Sequence, residues 1–168
     1  TEMRPHNMQQ GFIRPLYELA RGKNPITYDI AQDVMAMKKG RVAIVTGIVI
    51  EKHLPKGEVD GPIGAAVLGR ALSKLGHKVD LMMEGEMQDV AEGLIKTLKY
   101  DGKFVVTTGR SSEEVKRWAN DYDMVVTVEK LGRNSKGIRH SVNGTPLAKT
   151  GDYYIDDFIV AMNDKGKL

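Results

Sequence analysis

The residues with the clearest chemical character lie in one short segment that begins at Glu58. Pro62 favours the first turn of a helix, and Gly61 and Gly64 allow a ligand or a neighbouring backbone to approach the helix start closely. Free amides at such a start can bind an anion. However, Glu58 and Asp60 would repel an anion, so they indicate a bound cation or general acid/base chemistry. The alternative is that both acids only stabilise the helix dipole.

Four further acidic residues are candidates for the same chemistry: Glu129, Asp152, Asp156 and Asp157. Mg²⁺ and Mn²⁺ prefer several oxygen ligands, which can converge from separate elements of the chain. We therefore predict a divalent metal bound by Glu58, Asp60, Glu129, Asp156 and Asp157. For Asp156 and Asp157 the alternative is a structural role, because paired acids in a first helical turn also stabilise the helix dipole.

Basic residues are concentrated in an irregular segment, residues 130–152, which has many glycines and little apolar periodicity. A long irregular segment inside a compact domain is typical of a functional loop or a disordered one. Arg133, Lys136 and Arg139 are predicted to hold a phosphate or carboxylate group of a substrate, together with the amides of Gly61 and Gly64. The alternative is a solvated basic loop.

Nucleotide-binding fingerprints are incomplete in this chain. Gly61-x-x-Gly64 lacks the preceding Gly-x-Gly turn of a dinucleotide site, although Glu84 follows the next predicted strand, about where a ribose-binding acid would lie. The glycine spacing of a P-loop occurs later, but Ile138-Arg139 replaces the required Lys-Ser/Thr pair. Neither a nicotinamide cofactor nor an ATPase is supported.

The elements that must position these residues alternate regularly after residue 40. Two apolar runs, residues 42–45 and 104–106, are continuous, which is typical of strands covered on both faces in a parallel sheet. Two helices are predicted within residues 1–38. The remaining predicted strands are 77–83 and 124–129, and the remaining predicted helices are 63–75, 87–99, 111–120 and 153–162. The pattern predicts an α/β fold with a mostly parallel, doubly wound sheet and helices on both faces.

The order of elements also predicts where the site lies. Ligands of open parallel sheets bind outside the carboxyl ends of the strands. Glu58 and Asp60 follow the first predicted strand, and Glu129 follows the last. We therefore expect these three carboxylates to lie close together at that edge of the sheet.

Composition limits the class of protein. With 168 residues, 41% of them hydrophobic, the chain can bury one core, so we expect a single domain over residues 1–168 with an N-terminal helical segment over 1–38. A net charge of +3 with dispersed basic residues argues against nucleic-acid binding. Cysteine is absent, and the longest apolar stretch, residues 42–50, is too short for a bilayer. We expect a soluble cytoplasmic protein that acts on a small molecule, with homo-oligomerisation left open.

Four blocks of sequence carry a family resemblance. They are Val45-Thr46-Gly47; Glu58-x-Asp60-Gly61-Pro62-x-Gly64-Ala65-Ala66-x-Leu68-x-Arg70-Ala71-Leu72-x-x-Leu75-Gly76; Val128-Glu129-x-x-Gly132-Arg133; and Ile155-Asp156-Asp157-Phe158. From about residue 41 to 162 the chain resembles the D-glutamate cyclase C-terminal domain family, formerly a domain of unknown function. The second block is the most specific. The resemblance implies an enzyme that closes D-glutamate to 5-oxo-D-proline with loss of water.

Two departures from the family pattern are visible. The loop after Gly132-Arg133 lacks the acidic residue and the Tyr-Tyr-Asn-Met-like stretch of the family, and has Lys136-Gly137-Ile138-Arg139 instead. The family pattern also continues past the Asp-Asp helix, so we expect this chain to lack a C-terminal segment of its family. The leading hypothesis makes Asp60, Glu58 and Glu129 catalytic. The alternatives are a divalent-metal-dependent phosphatase and a non-catalytic binding or assembly domain.

Overall fold

The protein is described by a computed structural model over residues 13–50, 53–99, 101–141, 144–149 and 151–167. The chain divides into two compact units between Lys38 and Lys39. Such a division occurs within domains as well as between them, so the single domain over residues 1–168 stays a prediction.

The first unit contains two helices, α1 (Ile13–Ala20) and α2 (Ile26–Ala36). Pro25 directly precedes α2, where its missing N–H costs no helical hydrogen bond. None of the residues in α2 is buried. The two predicted N-terminal helices are thus present, and residues 1–12 of the predicted helical segment lie outside the described residues.

The second unit contains a parallel sheet with alternating helices. Its elements are β1 (Arg41–Thr46), α3 (Asp60–Lys74), β2 (Lys78–Met83), a 3-10 turn (Gly85–Met87), α4 (Gln88–Leu98), β3 (Phe104–Val106), α5 (Ser112–Trp118), β4 (Met124–Val128) and α6 (Ile155–Asp164). The strands lie in the order β3-β2-β1-β4, and every pairing is parallel. The predicted α/β fold class is confirmed.

The apolar runs form strands because both of their faces are covered. Ala43 and Val45 of β1 belong to a core cluster with Val115 of α5 and with Ile155 and Phe158 of α6. Since side chains alternate along a strand, the next residues of β1 project to the opposite face. Helices α3 and α4 pack on each other and on β2, and α3 also packs on β1. The sheet is therefore a layer between helices.

The helix boundaries differ from the predicted ones by a few residues. Helix α3 begins at Asp60, because the Asp-Gly-Pro segment itself is helical, whereas the sequence predicted a start at residue 63. A capping box opens α5: Ser111 accepts a hydrogen bond from the Glu114 amide, and the Glu114 carboxylate accepts one from the Ser111 amide at 2.9 Å.

Candidate functional site

The strand order creates one point where ligand binding is favoured. From β1 the chain winds outward through β2 to β3, and it then crosses back to place β4 on the other side of β1. Crossovers therefore leave in opposite directions on the two sides of β1, which opens a crevice at the carboxyl ends of β1 and β4. These ends are Thr46 and Val128.

The three carboxylates predicted to form the site lie at this switch point. Glu129 directly follows β4, Asp60 is the first residue of α3, and Glu58 precedes it in the connection from β1. One oxygen from each carboxylate lies within 4.8 Å of the others. Glu129 has a φ of 49°, which is uncommon outside glycine and is often found at functional sites. The structure therefore brings Glu58, Asp60 and Glu129 together.

The close approach of the three carboxylates makes ionisation of Glu58 unfavourable. The pKa of its carboxyl is raised from 4.5 to about 7, first by partial burial and then by the negative charges of Glu129 and Asp60. The positive charge of Lys130 acts in the opposite direction and lowers the pKa. A cation among the three carboxylates would remove the repulsion that keeps Glu58 partly protonated.

Two buried oxygens at this site have no hydrogen-bond partner among the described residues: Thr46 Oγ1 and Glu58 Oε1. Thr46 is fully buried at the end of β1. A Cβ atom added to Gly61 would lie 2.8 Å from Glu58 Oε1 and 3.1 Å from Thr46 Oγ1, so both oxygens surround the same backbone position. Unsatisfied buried oxygens are costly, and a hard cation or a ligand donor would satisfy them. The donor set therefore fits a divalent ion.

Gly61 and Gly64 have different surroundings. Gly61 is buried beside Glu58 and Glu129, and any side chain there would enter the carboxylate cluster. At Gly64 an added Cβ would meet no described atom within 4 Å. Neighbouring side chains of the protein therefore explain why position 61 is a glycine. At position 64 packing among the described residues gives no such reason.

The predicted ligands Asp156 and Asp157 have a different partner. Arg133 Nε lies 3.0 Å from both carboxylate oxygens of Asp156, and its Nη2 lies 2.5 Å from Asp157 Oδ1. The guanidinium also lies 5.1 Å from the centre of the Tyr154 ring. This ion-pair cluster ties the segment after β4 to the start of α6, and it gives the two aspartates and Arg133 a structural explanation. Their predicted metal-binding and anion-binding roles stay predictions.

The other two predicted anion-binding residues have opposite environments. Lys136 is exposed in a turn, where its amide donates to Asn134 Oδ1 at 2.9 Å. Arg139 is only 6% exposed, and its Nη1 donates to Asp152 Oδ1 at 3.1 Å. Arg139 is thus held by side-chain hydrogen bonds, whereas the side chain of Lys136 has no hydrogen-bond or ion-pair partner among the described residues.

Arg139 belongs to a buried charge network that the sequence does not predict. Lys130 Nζ lies 2.7 Å from Asp152 Oδ2 and 3.4 Å from Glu84 Oε1, and it also donates to the Gly47 carbonyl. Burial, followed by the charge of Asp152, raises the pKa of Glu84. Sequence reasoning assigned no role to Thr46 or Lys130. The available signals were their positions at or just after the ends of β1 and β4, and, for Thr46, a place in one of the blocks that carry the family resemblance.

Among the described residues, no helix combines the length and the apolar character needed to cross a membrane.

Comparison with known proteins identifies the family of the chain. No curated protein matches the chain. The family described as D-glutamate cyclase-like, C-terminal, matches residues 17–168, which is most of the sequence and includes every element of the sheet. The chain therefore belongs to the D-glutamate cyclase-like, C-terminal family.

Proposed function

We propose that the protein closes D-glutamate to 5-oxo-D-proline with loss of water, at a divalent ion bound by Glu58, Asp60 and Glu129. Family membership supports the reaction class. The observation that carries the site is the approach of three carboxylate oxygens to within 4.8 Å of one another at the switch point of the sheet. Ligands of doubly wound sheets bind at such points.

Mg²⁺ or Mn²⁺ suits this donor set better than a softer metal. All the candidate ligands are oxygens, and the chain has no cysteine. Thr46 Oγ1 is a further buried oxygen beside the cluster. When bound, such an ion polarises a carbonyl or carboxyl oxygen and so favours nucleophilic attack on its carbon.

The remaining steps of the ring closure are assigned to residues of the chain. The amine nitrogen of glutamate attacks the carbon of its own γ-carboxyl group, a C–N bond forms, and one C–O bond breaks to release water. The amine loses its protons to Asp60 or Glu129, and the leaving oxygen receives protons in return. The amide of Gly61, in the first turn of α3, stabilises the negative oxygen that develops during attack. The Gly64 amide lies one turn further along, where helical geometry pairs it with the Asp60 carbonyl.

The phosphatase alternative has less support. It needs a free cationic group to bind the remaining phosphoryl oxygens, and Arg133 is already paired with Asp156 and Asp157. Lys136 is the other basic residue considered for binding the phosphoryl oxygens. It is exposed, so it is the remaining candidate. The binding-domain alternative makes no demand on these contacts, so only an activity measurement separates it from the proposed reaction.

The test measures 5-oxoproline formation from D-glutamate, and phosphate release from p-nitrophenyl phosphate, each with and without Mn²⁺. We expect Mn²⁺-dependent 5-oxoproline formation that falls roughly 100-fold or more in Asp60→Asn, the usual scale for losing an acid/base group or an electrostatic stabiliser. Asp164→Asn is the matched control, because Asp164 is exposed at the end of α6. Phosphate release alone would favour the phosphatase, and no turnover of either substrate would favour the binding domain.

A further inference from the structure

Thr46 is a polar residue at a position where packing needs only an apolar one. It is the last residue of β1, and its side chain is completely buried. Side chains alternate along a strand, so Thr46 lies on the same face of the sheet as Val42 and Ile44, which are also completely buried. A valine has nearly the same shape and would fill this place without a polar atom. Packing therefore gives no reason for the hydroxyl group of Thr46.

The hydroxyl group lies beside the carboxylate cluster. A Cβ atom added to Gly61, in the first turn of α3, would lie 3.1 Å from Thr46 Oγ1, 2.8 Å from Glu58 Oε1 and 3.3 Å from Glu129 Cβ. Thr46 is also the partner in the sheet of Val128, the residue that precedes Glu129. The hydroxyl group thus shares the surroundings of Gly61 with two of the three carboxylate residues.

The hydroxyl oxygen is buried and has no hydrogen-bond partner among the described residues, and the same is true of Glu58 Oε1. A second buried threonine has the usual arrangement, because Thr107 Oγ1 donates to Asp152 Oδ2 at 3.0 Å. An unpaired buried hydroxyl costs free energy. Distances between Mg²⁺ or Mn²⁺ and oxygen, about 2.0–2.2 Å, are shorter than hydrogen bonds, so a bare ion can fit between oxygens where a water molecule cannot.

We propose that Thr46 Oγ1 is a fourth protein ligand of the divalent ion bound by Glu58, Asp60 and Glu129. A threonine hydroxyl has two lone pairs and one donor, so it can bind an ion and still donate to a carboxylate. Hydroxyl groups of serine and threonine hold Mg²⁺ in this way in P-loop enzymes. The ligand role rests on the proposed metal site, and it does not depend on the reaction that the ion serves.

The test compares the native protein with Thr46→Val and Thr46→Ser. Calorimetry gives the Mn²⁺ affinity, and urea unfolding in EDTA gives the stability without metal. Thr46→Val should weaken Mn²⁺ binding about tenfold or more, the usual scale for losing a group that supports a metal site. In EDTA it should unfold at the native urea midpoint or above it, because the hydroxyl has no hydrogen bond to lose. Thr46→Ser keeps the hydroxyl and should bind Mn²⁺ nearly as tightly as the native protein.

Thr107→Val is the matched control, because it removes the hydroxyl of a buried threonine that is hydrogen-bonded. It should lower the urea midpoint in EDTA and leave the Mn²⁺ affinity unchanged. No Mn²⁺ binding by the native protein overturns the metal site and the ligand role together. Binding by the native protein that Thr46→Val retains in full overturns the ligand role alone. Equal weakening in Thr46→Ser or in Thr107→Val, or a lower urea midpoint of Thr46→Val in EDTA, also overturns it.

Discussion

Replacing Glu58 by glutamine is expected to stabilise the metal-free protein at neutral and alkaline pH. The carboxyl of Glu58 has a pKa raised from 4.5 to about 7, first by burial and then by the charges of Glu129 and Asp60. Ionised Glu58 is therefore unfavourable in the folded state. Glutamine keeps the shape of the side chain and removes the charge, so it should relieve this cost.

The magnitude follows from the pKa. At 1.36 kcal/mol per pH unit, the rise corresponds to an upper limit of about 3.4 kcal/mol. Glu58 is only partly buried, so water screens most of this energy, and we expect about 1 kcal/mol.

The pH dependence has a definite sign. The folded state binds more protons than the unfolded state between the ordinary pKa of 4.5 and the raised pKa of about 7. Linkage then requires the contribution of Glu58 to stability to fall as the pH rises through this window. The advantage of Glu58→Gln should therefore be absent near pH 4.5 and complete above about pH 8.

Urea unfolding of both proteins in EDTA, at several pH values, measures this difference directly. Titrating groups distant from Glu58 are shared, so their effects cancel in the comparison, whereas those that interact with Glu58 (Glu129, Asp60 and Lys130) contribute to the measured difference. With Mn²⁺ at about 100 times its dissociation constant, the native protein should gain about 2.7 kcal/mol and Glu58→Gln should gain much less. The reasoning is refuted if metal-free Glu58→Gln is the less stable protein at pH 8, or if the difference between the two proteins does not change with pH.

Two further predictions concern neighbouring positions. Gly61→Ala should displace the Glu58 carboxylate and weaken Mn²⁺ binding measured by calorimetry, whereas Gly64→Ala, in open space, should leave binding intact and stabilise helix α3 by up to about 1 kcal/mol in urea. Asp152→Asn should destabilise the protein by about 3 kcal/mol, because Arg139 and its neighbours then form a buried network with excess positive charge. Unfolding of Asp152→Asn at the native urea midpoint would show that the network is not structural.

The sheet and its edge were predictable because they depend on local patterns. Continuous apolar runs such as the one that forms β1 indicated buried parallel strands. Ligands of open parallel sheets bind outside the carboxyl ends of the strands, which predicted that Glu58, Asp60 and Glu129 would lie close together. In the structure one oxygen from each of these carboxylates lies within 4.8 Å of the others. The family resemblance drawn from the Glu-x-Asp-Gly-Pro-x-Gly block is confirmed.

The ion pairs were not predictable, because they join residues that are distant in sequence. Arg133 pairs with Asp156, 23 residues away, and Lys130 contacts Glu84, 46 residues away. Nothing in the local sequence distinguishes Arg133, which is paired, from Lys136, which is exposed. Residues 130–152 have no hydrophobic period, so their positions depend on tertiary contacts that single-sequence patterns do not encode.

The most direct test of the account is an anomalous difference map from crystals soaked in Mn²⁺. The account predicts a peak at the switch point of the sheet, coordinated by Glu58, Asp60 and Glu129, and loss of this peak in crystals of Asp60→Asn. Mg²⁺ and Mn²⁺ bind carboxylate oxygens at about 2.0–2.2 Å, so the ligand distances identify the site. A strong peak at Asp156 and Asp157 with none at the switch point, or no peak at millimolar Mn²⁺, would contradict the central claim.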